Sequence, residues 1–234
     1  MAKVHPLMAD APEKIRFLPI NEKGFYVPWF SHWEGDKPIV QIADMRKMRL
    51  AIRKKLCWIC GHPLGSYGAF VVGSMCVVSR VCSEPPNHRD CALFAVRACP
   101  YITKPLSKRT GHKTGLPLKD EPEFAFTGNP KLWLVYSTRS WSPHTSGEST
   151  FFRFGEPDWY EFFHEGRKAT REEIDEGFAE AQPRLQQEAE QKGPQAIRYL
   201  LDRTAQFNAM RDWKLEHGRA NDEEDSKLEM LHGL

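Results

Sequence analysis

All six cysteines of this chain lie in one short segment, between positions 57 and 99 of 234 residues. Two of them, Cys57 and Cys60, are separated by two residues, and His88 and Cys91 repeat that spacing downstream. The sequence shows no export signal, and in a reducing compartment clustered cysteines bind metal more often than they form disulfides. The clustering therefore predicts a metal site around which the N-terminal half is organised.

The residue types of the two pairs are those of a structural zinc site. Zinc accepts thiolate and imidazole ligands in a tetrahedral arrangement, and four protein ligands leave no position for water or substrate. Gly61 permits the tight turn of a zinc knuckle, and the second pair falls on the expected first turn of a helix, where the dipole favours a thiolate. We predict one structural Zn²⁺ bound by Cys57, Cys60, His88 and Cys91.

Two alternatives to this ligand set are open at the level of sequence. Cys57 and Cys60 could form a redox pair, with His88 only an exposed residue at the start of a helix. Alternatively, Cys82 could replace one ligand, whereas Cys99 lies about two helical turns beyond the second pair and would need a bend in the chain.

The segment between the two pairs predicts a β-hairpin. Two β-rich runs over residues 69–81 are separated by Gly73 and Ser74, and glycine tolerates the positive φ of a tight turn. Asn87 is then placed to cap a helix over residues 88–98. Knuckle, hairpin and helix in this order are typical of a treble-clef zinc finger.

Two strands and a helix are predicted ahead of the first pair. Residues 25–30 (FYVPWF) and 38–43 (PIVQIA) are short aromatic or β-branched runs. Asp44 is placed as the N-cap of a helix that extends through Lys55 and delivers the chain to Cys57.

Beyond residue 130 the pattern predicts strands and then helices. Residues 132–137 and 150–154 have strand character, and the aromatic residues around them are expected to pack in a core. Thr170 and Glu173 have the spacing of a helix capping box. The last helix is expected to pack through Ile197, Leu200, Leu201, Phe207 and Met210.

Charge divides the chain into two parts. Residues 1–155 contain 22 Lys and Arg against 12 Asp and Glu, whereas residues 156–234 contain 11 against 19. We predict an α+β protein with a basic, zinc-finger-containing part at 1–110, a loop or linker at 111–130, and an acidic strand-and-helix part at 131–234. The two parts are either separate domains or share one core.

A basic surface is expected beside the finger, because runs of Lys and Arg flank it on both sides. Such a surface is typical of nucleic-acid-binding proteins. The plainer interpretation is a solvated helix face, or a docking surface for the acidic part of the same chain. The expected nucleic-acid contacts are Lys54, Lys55, Arg89, Lys108 and Arg109.

Two other classes of function are considered. A protein-interaction module would meet a host protein through the acidic helices, for example as an inhibitor. An HNH-like metal-dependent nuclease would need a histidine base, for which His62 and His112 are candidates, but no His-His or Asp-His pair ends a strand of the expected hairpin. The sequence has no phosphate-binding glycine loop and no His-Glu-x-x-His motif, so no catalytic residue is assigned.

Four stretches carry a resemblance to a known family: residues 27–30 (VPWF), 57–65 (CWICGHPLG), 84–102 (EPPNHRDCALFAVRACPYI) and 166–170 (GRKAT). They resemble a family of uncharacterised small proteins encoded by bacteriophages and prophages, over most of residues 15–190. The resemblance implies no activity, only a phage accessory protein that acts inside the bacterial cell.

We therefore expect a zinc-stabilised, non-catalytic protein that binds nucleic acid or a host nucleic-acid machine. No apolar stretch of the sequence is long enough for a signal peptide or a membrane span, so a cytoplasmic location in the bacterial host is expected. A membrane partner and a small-molecule substrate are not expected.

Overall fold

The computed structural model describes residues 4–104, 130–146 and 149–231, with side chains for all of these except residues 146, 149 and 215–231. The described chain is α+β, as the sequence predicted. Its strands are Ser31–Glu34 (β1), Lys37–Ala43 (β2), Gly68–Gly73 (β3), Val81–Cys82 (β4), Trp133–Thr138 (β5), Trp141–Ser146 (β6), Ser149–Phe154 (β7), Trp159–His164 (β8) and Arg167–Lys168 (β9). Its helices are Glu13–Arg16 (α1), Met45–Lys54 (α2), Ser74–Ser79 (α3), Arg89–Ala98 (α4), Pro100–Thr103 (α5), Arg171–Lys192 (α6) and Pro194–Leu231 (α7).

The strands of the described ranges form three antiparallel sheets, and two of these sheets join sequence-distant parts of the chain. β1 and β2 form a hairpin, a second sheet has the order β3-β5-β8-β9, and a third has the order β4-β7-β6. β3 pairs with β5 from Gly68 opposite Thr138 to Gly73 opposite Trp133. β4 pairs with β7 through Val81 and Cys82. Strands of the basic part are therefore hydrogen-bonded to strands that follow residue 130.

The hairpin predicted over residues 69–81 is wrong, because a short helix, α3, replaces its turn and second strand. Gly73 has a φ of −80° and precedes that helix, so its backbone does not use the conformational freedom of glycine. Its lack of a side chain serves packing instead, since an added Cβ would lie 2.9 Å from Cγ of Pro130. Ser74 donates from Oγ to the carbonyl of Gly177 in α6 at 2.9 Å, which ties α3 to the C-terminal helices.

The strand predicted over residues 25–30 is also displaced. Within it only Tyr26 makes an isolated bridge, to Ile20, and the first strand begins at Ser31. Pro28 has no N–H to donate to a ladder. The aromatic side chain of Phe30 packs instead on the Trp58 ring, at a centroid distance of 5.0 Å.

One hydrophobic cluster contains residues from both sides of residue 130. Trp58 and Phe70 from the N-terminal side are buried in it together with Tyr136 and Phe162, and Phe207 enters it from α7. Four of the ten aromatic residues predicted to pack around the strands beyond residue 130 are buried in this cluster, a fifth is buried in another cluster, and the other five are partly buried. Aromatic rings contact one another directly in this cluster, with Phe70 and Phe154 stacked at 4.9 Å and Phe178 and Phe207 stacked at 4.4 Å.

Helices α2 and α6 begin where the capping residues in the sequence predicted. Asp44 accepts a hydrogen bond from the amide of Arg46 at 2.8 Å and caps α2. Thr170 and Glu173 form the predicted capping box at the start of α6. No helix in the described ranges is both long and apolar enough to cross a bilayer.

Candidate metal centre

The first cysteine pair lies on a tight turn that follows α2. The amide of Cys57 donates to the carbonyl of His62 at 2.8 Å, and the amide of Gly61 donates to the carbonyl of Cys57 at 2.9 Å. Gly61 has a φ of +76°, and an added Cβ would lie 2.6 Å from Cγ of Trp29. The turn therefore needs glycine both for its backbone conformation and for the close approach of the indole ring.

The second pair is placed by the start of α4. His88 is the residue that precedes the helix, and Cys91 lies in its first turn. The amide and the carbonyl of Asn87 each bond to Ala69 of β3, at 2.7 and 2.8 Å, so this helix start is fixed to a strand of the core. Asn87 was predicted as the cap, but the residue in the cap position is His88.

The four predicted ligands come together in space. Their candidate ligand atoms all lie within 4.8 Å of one another, and they form a group that could hold a metal ion. Sγ of Cys60 lies 3.3 Å from Nδ1 of His88, and Sγ of Cys91 lies 3.9 Å from the same atom. A tetrahedral ion with ordinary zinc bond lengths separates a thiolate sulfur from an imidazole nitrogen by about 3.6 Å, so the set is close to the required size.

No protein-family model, curated protein or solved structure matches the chain. The site is therefore interpreted from its own geometry.

The three thiols are shielded from solvent, whereas the imidazole is half-buried. Cys57 and Cys91 have no exposed surface and Cys60 is 4% exposed. Ile15 and Ala11 of the N-terminal segment are buried against these cysteines. An ion bound here would be enclosed by protein.

The orientation of His88 leaves one ring nitrogen for a metal. Its Nε2 lies 2.9 Å from the carbonyl oxygen of Pro63. A carbonyl only accepts hydrogen bonds, so Nε2 carries the proton and Nδ1 is directed toward the thiols. Metal-binding histidines usually have such a partner on the second nitrogen, because it fixes both tautomer and ring orientation.

The pKa values of the clustered residues are shifted in opposite directions. Burial raises the pKa of the Cys57 thiol, but hydrogen bonds from Cys60, Cys91 and His88 outweigh burial and hold that pKa far below its usual value. Hydrogen bonds to Cys57 and Cys60 raise the pKa of His88 to about 10, against the opposing effect of burial. Hydrogen bonds to Cys57 and Cys60, together with burial, raise the pKa of Cys91 far above its usual value. Metal binding must therefore displace protons from His88 and Cys91.

Asn87 positions the two ligand pairs relative to each other, a role that its sequence context did not reveal. Its side chain is buried, and Oδ1 accepts a hydrogen bond from the amide of Ile59 at 3.1 Å, inside the first pair. Nδ2 donates to the carbonyl of Ala69 at 3.2 Å. The next amide, that of His88, donates to Sγ of Cys57 at 3.4 Å. The sequence showed only that an asparagine precedes a predicted ligand. An asparagine in such a position is also typical of a helix cap, and this was the role predicted for it.

Replacing Asn87 with alanine is expected to weaken metal binding by about 10- to 100-fold, the usual loss for groups that orient metal ligands. The substitution leaves the amide of Ile59 without its partner and removes the side-chain connection that Asn87 makes between the first pair and β3. Competition with a chromogenic chelator measures the affinity. Asn21, whose side chain organises the turn over residues 21–25 and bonds to none of the four ligands, provides the control: Asn21→Ala should leave the affinity unchanged. An equal loss in both variants would contradict the positioning role.

The remaining cysteines do not join the ligand group among the described residues. Cys82 is buried in β4, and its Sγ donates to the carbonyl of Glu84 at 3.3 Å. Cys99 precedes α5. All six cysteines are free thiols, so Cys57 and Cys60 form no disulfide.

Three of the five residues predicted to contact nucleic acid lie in the described part of the chain, and all three are exposed. Lys54 and Lys55 are exposed at the end of α2, next to the first ligand pair. Arg89 is exposed beside His88, and its guanidinium lies 5.1 Å from the centre of the Trp159 ring. Lys108 and Arg109 lie outside the described residues, as does His112. His62, the other candidate base, is exposed.

Proposed function

We propose that Cys57, Cys60, His88 and Cys91 bind one structural zinc ion. Three thiolates and one imidazole complete a tetrahedral shell, and the burial of the thiols leaves no open coordination position for a substrate. Both ring nitrogens of His88 have partners, one the thiols and the other Pro63, so this histidine is not available as a base. These observations support a non-catalytic site over an HNH-like nuclease.

The proposed zinc site has two of the three parts of a treble clef. The knuckle at Cys57 and Cys60 and the helix start at His88 and Cys91 supply ligands as such a finger does. Between them, β3, α3 and β4 take the place of the hairpin. We therefore propose a treble-clef-like arrangement in which the hairpin is replaced by a strand–helix–strand segment.

We further propose that the exposed cations of α2 from Arg49 onward, together with Lys55 directly after it, bind nucleic acid. Arg49, Arg53, Lys54 and Lys55 are all exposed, and none has an ion-pair partner among the described residues. The neighbouring Arg46, in contrast, is paired with Asp44. Uncompensated cations on a rigid surface neutralise phosphates and release counterions, which is the main source of affinity for nucleic acids. This uncompensated row of charge is the observation on which the proposal depends.

The metal would fix this surface in place. α2 ends at Lys54, and Lys55 adopts a left-handed conformation with a φ of 49° that turns the chain into the knuckle. The carbonyl of Lys55 accepts a hydrogen bond from Leu64 at 2.8 Å, on the far side of the knuckle. A folded, metal-loaded knuckle therefore orients the basic end of α2. In the setting that the family resemblance implies, this would be an accessory protein of a phage acting on nucleic acid or its machinery in the host cell.

Replacing Lys54 and Lys55 together with glutamine is expected to weaken binding to any nucleic-acid sequence and to lower the slope of log affinity against log salt by about one for each lysine. Fluorescence anisotropy with labelled single-stranded and duplex oligonucleotides, repeated over a salt series, measures both quantities.

Lys23 and Lys37 provide a matched control, because they are exposed lysines outside α2 in the same basic part. The variant with both replaced by glutamine has the same net charge and should keep most of the affinity and salt slope. Equal weakening in the two double variants would show that only net charge matters. Salt-insensitive capture of a host protein by wild type and both variants would instead favour a protein-interaction module that uses the acidic helices.

A further inference from the structure

An open cleft of about 480 Å³ lies between the end of α3 and β4 on one side and α6 and α7 on the other. Its walls include apolar residues of the main core, among them Phe154, Leu185 and Leu200. Pockets of this size and apolar character bind small molecules in many proteins. The cleft contains none of the proposed zinc ligands.

Cations are concentrated in this cleft. Arg80, Arg153, Lys192 and Arg203 line it, whereas Glu188 is the acidic residue among its lining residues. Glu156 pairs with both Arg80 and Arg203, and even with this second acid the four cations leave a net positive charge, which favours an anion.

Arg80 is held rigidly at the cleft and is only 6% exposed. Its Nη1 donates to the carbonyl of Gly155 at 3.2 Å, its Nη2 donates to Glu156 at 3.0 Å, and its guanidinium packs over the Tyr136 ring at 5.0 Å. Nε is buried and has no hydrogen-bond partner among the described residues. The φ of +58° is unusual for a residue other than glycine, so a strained backbone holds this side chain.

Two other residues that line the cleft also have a buried polar atom without a hydrogen-bond partner among the described residues. Nε of Arg203 is buried without a described partner, although its Nη1 bonds to Glu156 at 3.1 Å and to Gln206 at 2.6 Å. Oε2 of Glu188 is also buried and unpartnered. Buried donors and acceptors are nearly always paired in folded proteins, and a bound ligand is one source of partners.

We propose that this cleft binds a small organic anion, a carboxylate or phosphate ester with an apolar body. The anionic group accepts hydrogen bonds from the guanidinium of Arg203, whose side chain is 22% exposed, and the apolar body packs against Leu185 and Leu200. This inference is independent of the zinc and nucleic-acid proposals.

Titration of the full-length, metal-loaded protein with phenyl phosphate tests the proposal, with benzoate as the carboxylate probe and benzyl alcohol as the neutral one. Protein-observed NMR is suited to the roughly millimolar affinity expected of so small a ligand. Both anions, or one of them, should bind, and the anion that binds more tightly identifies the group that the cleft prefers. Benzyl alcohol should bind at least about tenfold more weakly, because hydrogen bonds to a charged group are lost.

Two variants locate the binding. Arg203→Gln removes one donor and Ala196→Phe fills the cleft, and each should weaken phenyl phosphate binding by about tenfold or more. Arg198→Gln is the matched control, because Arg198 is exposed on the same helix but does not line the cleft. The proposal is overturned if no probe binds wild type at concentrations that saturate a millimolar site, if benzyl alcohol binds as well as the anions, or if Arg198→Gln weakens binding as much as Arg203→Gln.

Discussion

Replacing Cys57 with serine is expected to abolish stoichiometric metal binding and to unfold the region around the site. A structural zinc set contributes roughly 10–16 kcal/mol in small fingers, which equals or exceeds the total stability of about 5–15 kcal/mol of a typical domain. Cys57 is central to the set, because it is fully buried and its thiol is hydrogen-bonded by the three other ligands. Native mass spectrometry should show one zinc ion per chain in wild type and none in the variant, and the variant should lose its cooperative thermal transition.

Cys99→Ser is the matched control for this experiment. Cys99 precedes α5 in the cap position, where serine is well tolerated, and it lies outside the ligand group. This variant should retain one zinc ion and a melting temperature close to that of wild type. Loss of zinc from Cys99→Ser, or full retention by Cys57→Ser, would contradict the assigned ligand set.

Replacing Phe207 with alanine is expected to lower the free energy of unfolding by about 3–5 kcal/mol, the usual range for a buried phenylalanine. Phe207 is 1% exposed, stacks on Phe178 at 4.4 Å and contacts the edge of Phe162 at 5.9 Å, so its loss opens a cavity between α7, α6 and β8. Because the same cluster contains Trp58 beside the metal site, the whole core should unfold in one transition. Urea unfolding followed both by circular dichroism and by tryptophan fluorescence measures this.

Leu201→Ala, on the same helix but at a side chain that is 66% exposed, should change the free energy of unfolding by well under 1 kcal/mol. Two separate transitions in wild type, with only the later one shifted by Phe207→Ala, would show that the basic and acidic parts unfold independently.

The ligand group and several helix ends were predictable because they are specified by residues close together in sequence. The repeated two-residue spacing identified the four residues that come together, and one or two hydrogen bonds within a few residues explain the caps at Asp44 and Thr170. Such features depend on local geometry, which the order of residues fixes directly.

The errors arose where the partner of a segment lies far away in the chain. Gly73 and Ser74 have the local signature of a turn, but β3 finds its partner in β5 and β4 in β7, so no hairpin forms. Sequence analysis also missed β6, which contains Pro143 and lies at the edge of its sheet, where a missing N–H is tolerated.

Periodicity located the last helix but did not identify its buried side completely. Phe207 and Met210 are buried as predicted, whereas Ile197 and Leu201 are 38% and 66% exposed. A helical repeat shows that apolar residues share a face, but the surface that covers them is set by tertiary packing.

The pairing of β3 with β5 and of β4 with β7 has a consequence for the newly made chain. Both N-terminal strands leave the ribosome well before the strands that cover them, and loop closure over such distances slows the formation of native contacts. During that interval Phe70 and Val72 of β3, both buried in the finished protein, are exposed on an unpaired edge. A nascent chain that captures its metal early would keep one end of β3 anchored through Asn87, which limits the number of incorrect pairings open to this edge.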